Sequence, residues 1–401
     1  MKRSSSKPLS KARAVVAQSG GCTAVINQSL AGVVTAACAS KKIGGILGAR
    51  HGIEGILNHS FIDLQKQPAE LLKRVANSPS AALGSSRYKL REDDAARAIQ
   101  NLKKNDARYV FLIGGNDTAN TSLQLAKAAE RAKFELNIIH IPKTIDNDLV
   151  ETDHCPGYGS VARFAAVTTQ EAALDTKAMQ RVDPVKIIEL MGRNSGWIVA
   201  ASALMKRSPA DAPHILLIPE VAFHENAFVR QVEVTLANTG YCIVVISETI
   251  RDAHGNRIGS KTEGVTADPF GHKYVEGTAA RLAGIIEKNL GVRARFDKPG
   301  TIQRMSMAYI SKVDQEEAFQ AGVYAVEWAL EGKTKVMVGF QRKTGTKYAI
   351  GYRPVPLAKI PNNERYLPET FFDWKKGMIE PAFVEYALPL LGKGLPHFVS
   401  L

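Results

Sequence analysis

Apolar positions along this chain alternate between two patterns. Short, nearly continuous apolar runs at residues 13–18, 42–48, 109–113, 137–141, 184–190, 214–218 and 241–246 are separated by stretches with apolar residues three and four apart. Runs of the first kind fit strands buried on both faces of a parallel sheet, and stretches of the second kind fit the helices that cover it. Helices are expected over about 24–39, 92–104, 160–180 and 315–331, and a hairpin over 333–352 turning at Lys343-Thr344-Gly345-Thr346. From Arg353 onward, Pro354, Pro356, Pro361 and Pro368 mark a loop-rich tail. The pattern is that of an α/β protein, and 401 residues suffice for two lobes with a core each.

The strand ends carry the chemistry. The run at 109–113 breaks into Gly114-Gly115-Asn116-Asp117-Thr118 before a helical pattern begins, and the run at 13–18 ends at Ser19-Gly20-Gly21. Strand, glycine turn and helix start make an anion site, because backbone N–H groups can approach an oxyanion closely there and the helix dipole favours it. The run at 137–141 ends in Pro142-Lys143-Thr144-Ile145-Asp146-Asn147-Asp148, which places two carboxylates and an ammonium in one loop. Carboxylates so close repel unless a cation, a proton or a polar partner relieves them. A glycine-rich anion loop beside a base and metal-capable acids suggests phosphoryl transfer. In parallel sheets ligands collect at the carboxyl ends of strands, where most of these motifs fall.

Charge and cysteine content alter this picture little. The formal net charge of +13 suits a polyanionic ligand, but it is spread along the chain without basic blocks interleaved with aromatics, so nucleic-acid binding is not expected. No apolar run reaches the length of a membrane helix. The basic start, residues 2–7, precedes an apolar stretch too short for a signal-peptide core and reads as a frayed tail. Cys22, Cys38, Cys155 and Cys242 have no metal-type spacing and fit reduced thiols in a cytoplasmic protein.

Three motifs in order, Gly114-Gly115-Asn116-Asp117-Thr118, Thr144-Ile145-Asp146-Asn147-Asp148 and Met191-Gly192-Arg193, resemble those of the phosphofructokinase family, in particular its pyrophosphate-dependent branch. The resemblance runs from about Val15 to about Leu330. It implies two doubly wound, mainly parallel-sheet lobes with the active site in the cleft between them: residues 1–155 with 305–345 bind the donor, 156–304 bind the sugar phosphate, and 346–401 form a C-terminal extension. Gly20, Gly21, Arg87, Gly114, Gly115 and Thr118 match donor-phosphate positions. Thr144, Asp146, Met191, Gly192, Arg193, Glu220, Arg295, Thr301, Gln303 and Arg304 match the sugar-phosphate side. Arginine suits either task, since its planar fork holds two phosphate oxygens.

Donor choice turns on Asp117 and Lys143. ATP-using members resemble a glycine at each place, so the Asp117 carboxylate excludes the nucleotide by bulk and repulsion while Lys143 stabilises pyrophosphate and the leaving phosphate. Read alone, Asp117 caps the following helix, and it can do both. The implied reaction is reversible phosphorylation of fructose 6-phosphate, with Asp146 as general base, Thr144 donating to phosphate oxygens, and Mg²⁺ held by Asp148 and Asn116. Three departures from the family pattern stand out. Asn116 replaces a metal-binding aspartate, Thr301 a histidine or tyrosine, and Pro184 an arginine for which Arg181 or Lys186 could substitute. The resemblance also implies a homodimer or homotetramer with sites near subunit contacts. The alternatives are an ATP-dependent phosphofructokinase and a non-catalytic homologue that binds sugar phosphate; Asp117 and Lys143 disfavour the first, Asp146 and Lys143 the second.

Overall fold

The main strands of the computed structural model are β1 (Arg13–Gln18), β2 (Ile46–Ala49), β3 (Phe61–Asp63), β4 (Ala107–Gly114), β5 (Asn137–Pro142), β6 (Val185–Leu190), β7 (Ile215–Leu217), β8 (Cys242–Ser247), β9 (Ala294–Asp297), β10 (Val336–Arg342) and β11 (Ile350–Pro356). The structure describes residues 11–259, 277–345 and 347–400; the basic start and Thr346 of the expected turn lie outside them. One sheet has the order β11-β10-β5-β4-β1-β2-β3 and is parallel except for β11 and β3 at its two edges. A second, β7-β8-β6-β9, is parallel throughout, and Phe372–Asp373 pairs antiparallel with Met378–Ile379 in a small third sheet. The class is α/β, as the apolar runs predict.

Alternation explains why these strands read as continuous apolar runs. Ala14 and Val16 of β1, Phe111 and Ile113 of β4, and Ile139 and Ile141 of β5 face one core. Val15 and Ala17, Val110 and Leu112, and Ile138 face the opposite one. Each such valine, leucine, isoleucine or phenylalanine stabilises the fold by roughly 1.5–3 kcal/mol on burial, so both faces must be covered. Helices Ile26–Ala39 and Lys312–Leu330 cover the first face so closely that a Cβ at Gly32 would lie 2.0 Å from the Phe319 carbonyl oxygen, and one at Gly322 would lie 2.3 Å from that of Ser29.

Two expectations are corrected. The run at 42–48 forms a strand only from Ile46, because Gly44 is pressed against the Lys11 backbone. The tail is more ordered than its prolines suggest: β11 continues to Pro356, a helix spans Pro381–Ala387, and Leu367, Phe372, Phe383, Tyr386 and Leu390 enter the core around Trp197. Pro354 and Pro356 are tolerated because β11 is an edge strand.

Register aligns the functional loops. Gln18 pairs with Ile113 and Gly114 with Pro142, so the loops after β1, β4 and β5 leave the large sheet side by side. Leu190 pairs with Ser247, which sets the ends of β6 and β8 together in the small sheet.

Candidate active site

These loop ends enclose a cavity of about 370 Å³. The loop after β1 contributes Gly20, Gly21, Cys22 and Thr23, and the loop after β4 contributes Gly115, Asn116, Asp117 and Thr118. The helix Asn116–Arg131 starts directly after Gly115, so its unpaired N–H groups and Asp117 stand at the cavity wall. Gly20 has φ +79°, a left-handed turn that glycine adopts without strain, and the Cβ that Gly21 lacks would sit 2.8 Å from an Nη of Arg304. Arg87 completes this side.

Lys143 is buried beneath the same glycine turn, its Nζ donating to the Gly21 carbonyl at 2.6 Å. Burial, reinforced by Arg304 and Arg193 and opposed by Cys22 and Asp146, lowers its pKa to about 8. Asp146 and Asp148 are also buried. Burial first, and then the neighbouring Asp148, raise Asp146 to about 7; Glu248 adds to the rise, while Arg193 and Lys143 oppose it. Asp148 is likewise raised by burial, although Arg193 and a hydrogen bond with Thr144 hold it down in part. A carboxyl that titrates near neutrality between two cations is poised to accept a proton.

The loop after β6 closes the other side. Arg193 lies with Nε 3.7 Å from Asp146 Oδ2, and the Ser195 hydroxyl donates to the Asp146 carbonyl at 3.0 Å. Met191, Arg193, Thr301 and Arg304 line the cavity as the motifs predict. Gly192 forms the turn between them at φ +142°.

Several predicted residues stand elsewhere. Glu220 does not line the cavity; its Oε1 accepts from the Gly196 and Leu367 amides, both at 2.9 Å, and so holds a helix start to the C-terminal segment. Gln303 accepts from Met191 N at 3.1 Å and donates to the Gly300 carbonyl, a supporting role behind the wall. Arg295 pairs with Asp183 at 2.8 Å, away from the cavity, and Gly114 lies behind it, accepting from Lys143 N. Arg304 sits against Gly21, nearer the donor loops than a sugar-phosphate role implies. Lys186 is engaged by Asp175 and Asp297, and neither it nor Arg181 reaches the cavity. The Asn116 amide is engaged by the tail: it accepts from Asn362 N at 2.9 Å and donates to the Asn363 carbonyl at 2.7 Å, which leaves one lone pair on its oxygen.

In their place the structure brings in residues that motif reading missed. Glu248 and Thr249 follow β8, Lys298 follows β9, and Asn194, Arg257 and Glu364 complete the wall. Glu364, in the tail, accepts from Asn194 Nδ2 at 3.2 Å. No cluster of three or more metal-type side chains occurs among the described residues. Magnesium beside phosphates needs only one or two carboxylates, the rest of its shell being phosphate oxygens and water, so buried Asp148 fits such an ion.

Paired anion loops, a buried lysine and a near-neutral carboxylate at the carboxyl ends of two parallel sheets define an α/β phosphotransferase. The chain belongs to the phosphofructokinase family, whose model matches residues 13–329. It is 40% identical over 400 residues to the pyrophosphate–fructose 6-phosphate 1-phosphotransferase of Xanthomonas campestris pv. campestris (strain B100), covering 96% of this chain and 95% of that one. It is 39% identical over 396 residues to the protein of the same name from Rhodospirillum rubrum, covering 98% and 97%. The crystal structure of pyrophosphate-dependent phosphofructokinase from Nitrosospira multiformis matches with a TM-score of 0.86 at 34% identity, covering 96% of this chain and 94% of that one.

Proposed function

We propose that this chain transfers a phosphoryl group reversibly from pyrophosphate to the 1-hydroxyl of fructose 6-phosphate. The observation that carries this reading is the placement of Asp117 and Lys143 on one cavity wall, with Asp146 beside them. Asp117 fills the space a nucleoside triphosphate would need beyond its terminal phosphates. Asp146 takes the proton as the sugar oxygen forms its bond to the far phosphorus, and the bond to the bridging oxygen breaks to release phosphate. Lys143, with Arg304 behind Gly21, neutralises charge on the departing phosphate. Thr144 and the amides of the helix at Asn116 donate to phosphate oxygens, while Arg193 with Lys298 and Arg257 grips the sugar phosphate, supplying the cation that Pro184 cannot. Magnesium, held by Asp148 and phosphate oxygens, would lower the charge repulsion between the reactants.

Residues 1–155 with 305–345 serve as the donor lobe in this reading and 156–304 as the sugar lobe, and the extension 346–401 lends Glu364 to the wall. Among the described residues no strand pairs with the outer edge of β9, where Phe296 is exposed, which supports assembly as a homodimer or homotetramer. Four free cysteines suit a reducing cytoplasm. No helix among the described residues is long and apolar enough to cross a membrane. Asp146→Ala tests the reaction: turnover drops by about a hundredfold or more while sugar-phosphate binding, measured by calorimetry, stays within about threefold. An unchanged rate would remove Asp146 from the chemistry.

A further inference from the structure

The segment Asn362–Leu367 lies beyond the family-matched region, yet it bonds to the cavity loops after β4, β5 and β6. Asn362 and Asn363 hold Asn116, Glu364 accepts from Asn194, and Leu367 N donates to Glu220. At its centre the Arg365 guanidinium is enclosed by backbone carbonyls of the loop that follows Asp146. Nε and Nη2 donate to Asn147 O at 3.1 and 2.9 Å, and Nη1 donates to Thr152 O at 2.8 Å and Asp153 O at 2.5 Å. Arg365 N donates to Asp148 O at 2.8 Å. The guanidinium is stacked 4.6 Å from the Trp197 ring, whose Nε1 donates to the Arg365 carbonyl at 3.1 Å. Tyr386 tightens the same turn, accepting from Asn147 Nδ2 at 3.0 Å and donating to Asp153 O at 2.7 Å.

The enclosed loop has reason to need such a clamp. Asn147 and Glu151 both have positive φ, +56° and +60°, which non-glycine residues hold only when their surroundings fix them. Asn147 is also the residue between the two buried acids, so its backbone angles set where Asp146 and Asp148 point. A guanidinium presents five donors in a rigid plane and so fixes the spacing of the carbonyls around it; a lysine ammonium does not.

We propose that Arg365 is a positioning residue for phosphoryl transfer, its guanidinium fixing the 147–153 loop that aims Asp146 and Asp148 into the cavity. This rests on the functional reading above. A displacement of about 1 Å at a reacting group costs on the order of a hundredfold in rate. Arg365→Ala therefore lowers kcat by about that factor, leaves the KM for pyrophosphate and for fructose 6-phosphate within about threefold, and accelerates amide hydrogen exchange selectively over residues 143–155. Added guanidinium ion restores part of kcat. Arg365→Lys, which keeps the charge, remains impaired, and Tyr386→Phe shows the same kcat-selective loss on a smaller scale; these two carry the test if the alanine variant does not fold. A folded Arg365→Ala enzyme with kcat within twofold of wild type overturns the proposal. So does unchanged exchange over 143–155, or a loss of kcat that added guanidinium does not touch and that lysine at this position restores in full. Wild-type inactivity with pyrophosphate would instead overturn the functional reading, and the exchange comparison would still decide the clamp.

Discussion

Replacing Asp146 by asparagine should stabilise this protein while abolishing its turnover, and the gain should grow with pH. Burial and Asp148 raise the Asp146 carboxyl from its ordinary 3.8 to about 7. The raised pKa means that the folded state favours the protonated form. The stability Asp146 contributes is thus fully present below about pH 4 and is lost as pH rises through about 7. About three units correspond to about 4 kcal/mol, of which roughly half is lost between pH 5.5 and 8.5. Asparagine removes that cost. The value of about 7 already includes the opposing pull of Arg193, 3.7 Å away, and of Lys143, so their loss needs no separate term. The expected gain at pH 8.5 is about 4 kcal/mol, shrinking by about 2 kcal/mol at pH 5.5. Urea denaturation of both proteins at the two pH values, without ligands, measures it; taking the difference cancels titrating groups remote from Asp146, such as His154. A gap that does not change with pH, or an asparagine variant less stable at pH 8.5, would refute the reasoning.

The same groups set the pH dependence of catalysis. Asp146 must be unprotonated and Lys143 protonated, so kcat/KM should be bell-shaped with limbs near 7 and 8, and Lys143→Met should remove the alkaline limb along with most of the activity. A single acidic limb near 4 would exclude Asp146 as base. Asp117→Gly should allow measurable use of ATP where wild type shows none; if ATP use does not rise, steric exclusion at this position is wrong. Gly322→Ala should destabilise the fold by about 2 kcal/mol in urea titration, since its methyl would meet backbone rather than a movable side chain.

Much of this architecture is legible in the sequence because central parallel strands must be apolar on both faces and because their exits must bend sharply. The loops after β1, β4, β5 and β6 were found that way. Glu220 and Glu248 show what was not legible: each follows a short apolar strand, and nothing local distinguishes them. The order β7-β8-β6-β9 does, since β8 and β9 flank β6 and carry Glu248 and Lys298 to the Met-Gly-Arg turn, whereas β7 leaves Glu220 two strands away. Strand order is a tertiary property. The tail's grip on Asn116 was not legible for a related reason, because its partners at Asn362 and Asn363 come from a proline-marked segment with no periodicity to announce a docking site. β3, three residues long and antiparallel, is too short to show a pattern at all.

The central claim is that Asp117 and Lys143 select pyrophosphate as donor. It is tested most directly by incubating the purified protein with fructose 6-phosphate and magnesium and comparing pyrophosphate with ATP at equal concentration, following formation of the bisphosphate. Turnover with pyrophosphate and none above background with ATP is the predicted result. Turnover with ATP alone would contradict the account of donor choice, and no turnover with either would contradict the assigned reaction.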